Sequence, residues 1–421
     1  MADQLHYRRT VRQTSLHRRP GAMHAADMVH LRHLNRSIPF YMLMSDTSSR
    51  RREEDEDGQA GGIDLRSAAQ VEAEVMELGM LGAAWEREEL LRVRPVHRAP
   101  VIRLTRTIDS VDDCDAYHNF RVLKEHMPRL FAALRFPEHV RLENGSTFRG
   151  EEAFLLLLMR MRYPGRLADL ERYFGREYSQ LSRLFRWATD FLFEMHSHRV
   201  MDNLEFWGPH LRGFARAVYR KGRAFGLTYD DICGFIDGTL RRFCRPGGHD
   251  DIQREVYDGH HRDHGLAYQA IMAPNGMLMD AWGPVSGRRH DSYLLRVSEF
   301  NPRLAAVQDP EGPQMKVYGD AAYPLLSHVR RGFKGSNLTD DQRAFNQANS
   351  KMRISVEWGF GKVIQLFPFC DFRKNQKLFL QPVARYYINA CVLTNAHTCL
   401  RGSQTGAYFD MVPPTLEEYF A

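Results

Sequence analysis

Ile232-Cys-Gly-Phe-Ile-Asp237-Gly-Thr239 is the stretch on which the fold turns: a short apolar run, then an acid, then a glycine. Such a run, bounded by turn residues, reads as a buried strand, with Asp237 held at its exit and Gly238 letting backbone or a phosphate approach closely. Met315-Lys-Val-Tyr-Gly-Asp320 repeats the arrangement. Between them, residues 266–272 and 276–282 are apolar runs joined by the turn Ala273-Pro-Asn-Gly276, a hairpin signal. Helical spacing covers residues 291–300, about 340–365 and 382–400. The order strand, hairpin, helix, strand, helix predicts an α+β or α/β domain over residues 230–400, a mixed sheet flanked by helices.

Upstream of this sheet, residues 112–225 carry amphipathic stretches with almost no β-branched alternation, which predicts a helical N-terminal module. The stretches are 117–134, 150–161, 167–174, 179–196 and 201–225. Residues 166–175 and 176–187 have the grammar of helix, glycine turn, second helix. Ser179 is a candidate cap for the second helix, with Gln180, Arg183 and Arg186 lining its exposed start, where a DNA-reading helix-turn-helix presents its contacts. A helical hairpin with a glycine between its arms is also a common structural device. Residues 1–66, Arg-rich with an acidic block at 53–57 and a Gly-rich exit, predict disorder. Residues 67–111 predict a helix and a Pro-containing linker, and residues 401–421 a loosely attached tail.

The 421 residues allow two domains plus flexible ends, and 43% hydrophobic with 26% charged residues describes a soluble globular chain. A net charge of +6 favours a polyanionic partner. Only eight of the 58 basic residues are Lys, and the planar fork of Arg suits phosphate oxygens, although biased genome composition gives the same skew. Six cysteines without a C-x-x-C pair point to a reduced, intracellular protein. No apolar run approaches the roughly 20 residues that cross a bilayer, so no membrane partner is expected. Residues 5–44, Arg-rich and acid-poor, leave an organelle transit peptide as the minor alternative.

Four carboxylates stand in order along this framework: Asp237, Asp291, Asp320 and Glu357. Phosphodiester cleavage by two metal ions needs several carboxylates converging on ions about 4 Å apart. Hard cations such as magnesium or manganese (Mg2+ or Mn2+) take those oxygens and keep waters for the substrate. Singly, each acid has a plainer reading: Asp-Gly is often a turn, and Glu357 can pair with Arg353 one helical turn earlier. His249, His260, His261, His264 and His290 raise zinc as an alternative. Neither a metalloprotease Glu after His260 nor a Cys completes such a site.

The ordered motifs resemble the transposases of PIF/Harbinger elements and the Harbinger transposase-derived nucleases. The resemblance runs from about Phe235 to His397 and rests on Ile236-Asp-Gly-Thr239, Gln253-Arg254, Tyr257-Asp-Gly-His260-His-Arg-Asp-His264, Tyr268-Gln269, His290-Asp-Ser292, Gly319-Asp-Ala-Ala-Tyr-Pro324, Phe345-Asn346 and Arg353-Ile-Ser-Val-Glu-Trp-Gly-Phe-Gly361. It implies a ribonuclease-H-like DDE domain and a divalent-metal DNA endonuclease or transposase that nicks and joins element ends. Its catalytic triad would be Asp237, Asp320 and Glu357, with Asp291 a further metal-site acid. His260, His264, His290, Arg254 and Lys362 would be supports of the acids or substrate contacts. DNA, a separate Myb-like DNA-binding protein and a second copy of the chain are the partners so implied, and the nucleus, with shuttling through the cytoplasm, is the implied location. A Lys-x-Arg that often follows the Glu motif in that family is reduced here to Lys362. The rival reading is a domesticated, catalytically silent DNA-binding or scaffold protein that keeps the fold.

Overall fold

The computed structural model describes residues 105–247 and 250–421; the expectations for residues 1–66, for the helix and linker up to residue 104, and for His249 lie outside them. The chain enters through helices α1 (Asp113–Phe120) and α2 (Met127–Ala133), a small hairpin of β1 (His139–Arg141) with β2 (Thr147–Arg149), and α3 (Gly150–Arg162). Helices α4 (Leu167–Phe174), α5 (Tyr178–His196) and α6 (Leu211–Gly222) complete the helical region. The single helix expected over residues 117–134 is broken at Arg121, whose φ of 60° caps α1 in the left-handed conformation. Helix α3 is the core of this region, with Ala153 to Met159 all buried and Glu152 paired through two bonds, 2.8 and 3.1 Å, to Arg176.

The sheet follows. Strand β3 (Ile232–Arg242) is its centre; after α7 (Asp250–Glu255) and the two-residue β4 (Tyr257–Asp258), strands β5 (Asp263–Met272) and β6 (Leu278–Ser286) form the expected hairpin. Gly276, at φ 80°, closes its turn. Helices α8 (Asp291–Val297) and α9 (Phe300–Ala306) lead to β7 (Lys316–Gly319) and β8 (Val329–Arg331). β5 pairs antiparallel with β3, β6 antiparallel with β5, β7 parallel with β3 and β8 parallel with β7. The spatial order is therefore β6-β5-β3-β7-β8, a mixed sheet flanked by helices in the ribonuclease-H-like arrangement.

Two long helices cover the sheet. α10 (Asp340–Leu366) starts at Thr339, whose hydroxyl accepts the Gln342 amide while Gln342 reaches back to the Thr339 N–H, and it buries Met352, Val356, Gly359 and Val363 at helical spacing. Gly359 sits so close to β5 that a Cβ there would lie 1.9 Å from Met272 Cε. α11 (Val383–Arg401) is buried on every side from Val383 to Thr398, as a helix inside a larger body must be. Its polar groups bond both ways: Arg385 to Asp190 at 2.6 Å and Asn389 to the Thr189 carbonyl at 2.8 Å on α5, and Asn395 to both backbone groups of Leu278 on β6. The helical region and the sheet thus share one core.

The expected loose tail is corrected. Residues after 401 form α12 (Gln404–Phe409) and α13 (Leu416–Phe420), with Phe409, Leu416, Tyr419 and Phe420 buried. Tyr419 anchors them, its hydroxyl donating to the Arg199 carbonyl at 3.0 Å and accepting from Asn395 at 2.8 Å. All six cysteines are free thiols, and no helix among the described residues is long and apolar enough to cross a membrane.

Candidate active site

The register of two parallel strands builds the site. Phe235 on β3 lies opposite Tyr318 on β7, so two residues further on Asp237 and Asp320 stand side by side at the same height. β7 ends at Gly319, whereas β3 continues to Arg242 because β5 still pairs with it, from Gly238 opposite Gln269 to Arg242 opposite Gly265. This corrects the expectation that Asp237 ends its strand: it sits mid-strand, at the corner where the parallel neighbour stops. Apolarity is a poor guide beyond Ile236, since residues 237–240 are only half-buried.

Asp291 comes from a different element, the first residue of α8, and packs directly on β3. A Cβ at position 238 would lie 2.1 Å from Asp291 Oδ1, so only glycine admits the carboxylate there. Glu357 projects from the exposed flank of α10. Arg353, one turn earlier, spans the gap: Nη1 donates to Asp237 Oδ2 at 2.7 Å and Nη2 to Glu357 Oε1 at 3.0 Å. The plain Arg353–Glu357 pair anticipated from spacing is present, and it includes Asp237 as well.

The aspartates feel one another. Burial pushes the Asp237 carboxyl up to about 6; Arg353 opposes the rise, and Asp320 and Asp291 add to it. Asp291 is raised by burial and then by Asp320, with the neighbouring His290 favouring its ionised form. Carboxyls raised by burial and by one another in a cleft are characteristic of functional sites.

The remaining expected residues divide. His290 is exposed at the start of α8 beside Asp291. His260 is exposed and stacks edge-on against His261, while His264 lies against Tyr257, ring centroids 5.3 Å apart. It is His261 that enters the cleft with Asp291, its Nδ1 held 2.6 Å from Asp258 Oδ2. Spacing singles out His260 and His264; only the turn between β4 and β5 selects His261. Arg254 is exposed on α7. Lys362 is corrected as a substrate contact: its ammonium donates to Thr398 Oγ1 at 2.7 Å and to the Gly402 carbonyl at 2.8 Å, tying α10 to the end of α11.

The helix-turn-helix reading is also altered. Gly175, at φ 61°, makes the expected turn, but Glu177 rather than Ser179 precedes the first residue of α5. Leu181, Leu184, Phe185, Ala188 and Leu192 are buried, and Phe185 stacks on Tyr386 of α11. Arg183 is exposed and Gln180 half-buried, whereas Arg186 donates to the Leu380 carbonyl at 3.2 Å and so faces the protein body.

Residues 236–395, which contain all four acids, match the family model described as DDE superfamily endonuclease. This stretch is a DDE superfamily endonuclease domain, the fold of nucleases and transposases that cleave phosphodiester bonds and generally use divalent metals. No curated protein and no solved structure matches the chain.

The donor set suits such a metal. Asp237, Asp291, Asp320 and Glu357 offer only carboxylate oxygens, the preference of magnesium and manganese. The fully buried Tyr323, whose pKa is raised by burial and then by the charges of the three aspartates, has a hydroxyl without a hydrogen-bond partner among the described residues, and a water on a bound ion would supply one. Among the described residues, no three His, Cys, Asp or Glu side chains already converge tightly enough to grip an ion. Arg353 stands in that interval.

Proposed function

We propose that the protein is a divalent-metal-dependent DNA endonuclease of the transposase kind, cutting phosphodiester bonds at element ends in the nucleus and joining the freed strand. The observation that carries this reading is the β3–β7 register that aligns Asp237 with Asp320, with Asp291 packed on Gly238, inside the matched domain. Asp237, Asp320 and Glu357 are the proposed catalytic triad and Asp291 a fourth ligand. Magnesium or manganese, when bound, supplies activation of the attacking oxygen and stabilisation of the leaving one. The chain's part is to hold the acids on a rigid strand edge and to align the substrate.

A cleft of about 440 Å³ begins at Gly238 and Asp291 and runs along β3 past Arg242, His261 and Arg289. Its two other acids are already engaged, Asp258 with the His261 ring and Asp371 with Arg241 at 3.1 Å. That leaves the wall suited to backbone phosphates flanking the scissile bond, which fix register without reading sequence.

The test is cleavage of labelled duplex and nicked DNA by the full chain with magnesium or manganese. Asp237→Asn is expected to lose roughly 100-fold or more of the activity. Arg242→Ala is expected to weaken DNA binding and lower its salt dependence by about one phosphate contact. DNA binding with equal inertness of wild type and Asp237→Asn in both metals would leave the silent scaffold instead.

A further inference from the structure

We propose that Arg353 is a built-in counter-ion that occupies one of the active site's cation positions, and that a divalent ion enters this position only in exchange for its guanidinium. The inference rests on the metal-nuclease reading above and deepens it.

The geometry is a single planar fork spanning two elements. Arg353 and Glu357 are one turn apart on α10, and the fork reaches from Glu357 Oε1 at 3.0 Å to Asp237 Oδ2 at 2.7 Å on β3. Asp237 Oδ1 in turn accepts the Gly238 N–H at 3.1 Å, so both oxygens of this acid are engaged. An ion held between Asp237 and Glu357 would take the space and the positive charge that the guanidinium now supplies there, so the two cations would exclude each other.

Asp291 and Asp320 stand outside this arrangement. Asp320 Oδ1 accepts the Ala322 N–H at 2.8 Å, and Asp291 packs on Gly238. A cation could therefore be held by Asp291 and Asp320, away from the fork, while the helix-side position stays closed. The two halves of the fork also differ in strength. Arg353 and Asp237 have side chains 22% and 18% exposed, whereas Glu357 is 53% exposed, so solvent screens the helix-side bond more. Met352 and Val356, which flank Arg353 on α10, are buried, so the exchange is a rotation of the Arg353 side chain and not a movement of the helix.

Binding of manganese ion alone to the full-length protein, without DNA, tests this; free ion is counted by electron paramagnetic resonance. Wild type is expected to bind one ion well and a second weakly. Arg353→Gln is expected to strengthen the weak site about tenfold, the lower end of what charge-assisted hydrogen bonds are worth, and to leave the strong site unchanged. Arg353→Lys should give a smaller gain, because one ammonium cannot span both carboxylates. Adding Glu357→Gln to Arg353→Gln should abolish the gain. Equal or weaker ion binding by both Arg353 variants, with urea unfolding matching wild type, would overturn this inference and leave the nuclease reading standing. Absence of manganese binding in every form would overturn both.

Discussion

At the scale of single residues, the site depends on what is missing at position 238 as much as on the acids. Gly238→Ala puts a methyl group where Asp291 Oδ1 sits, 2.1 Å away, so Asp291 must leave β3. Thermal unfolding is expected to stay near wild type while manganese affinity and cleavage fall together, by roughly 10-fold to 100-fold. A second residue reports on pH. His397 is buried on α11 with neither ring nitrogen partnered among the described residues, and burial, with Lys362 and Arg401 nearby, pulls its pKa down to about 3. The folded state keeps it neutral while the unfolded chain protonates it near 6.5. Its contribution to stability is therefore complete above that value and lost as pH falls toward 3. His397→Leu removes this loss, so in urea unfolding its stability relative to wild type should be about 2 kcal/mol more favourable at pH 5 than at pH 7.5. His196, held neutral in the same way with a pKa of about 4, keeps part of the acid sensitivity in both proteins.

At the scale of elements, α10 and α5 show how far packing redirects a sequence pattern. α10 was readable as a helix carrying an acid, because its apolar spacing is local. Its distance from the sheet is not local: it depends on Gly359 resting on Met272. Gly359→Leu is expected to lift the helix, cost about 1–3 kcal/mol in urea unfolding and impair cleavage beyond what the stability loss explains, since Glu357 moves away from Asp237. α5 had the pattern of a recognition helix. Its apolar face is long enough to be gripped by α3 on one side and α11 on the other, and that grip turns Arg186 inward while Arg183 stays exposed. β1, β2 and β8, three residues each, left no periodic signal to read.

At the scale of the whole molecule, the helical region and the DDE domain are bound through α11, whose buried polar groups bond to α5 and β6 alike. Residues 105–225 expressed alone would expose the face of α5 that meets α11, including Phe185 and Thr189. This fragment is expected to keep helical far-ultraviolet circular dichroism but lose near-ultraviolet signal and amide protection, the signature of lost tertiary packing. A cooperatively folded fragment would show an independent module. The sequence by itself determined the strand–hairpin–strand order, the hairpin turn, the long acid-bearing helix and the four carboxylates, because apolar runs, helical spacing and Pro-Asn-Gly chemistry act over a few neighbouring residues. Only the tertiary structure decided that Asp237 is level with Asp320, that His261 and not His260 enters the cleft, that Lys362 is tied to the end of α11, and that Arg353 spans two acids. Each of these depends on strand register or on contacts between residues far apart in the chain, which no local pattern encodes.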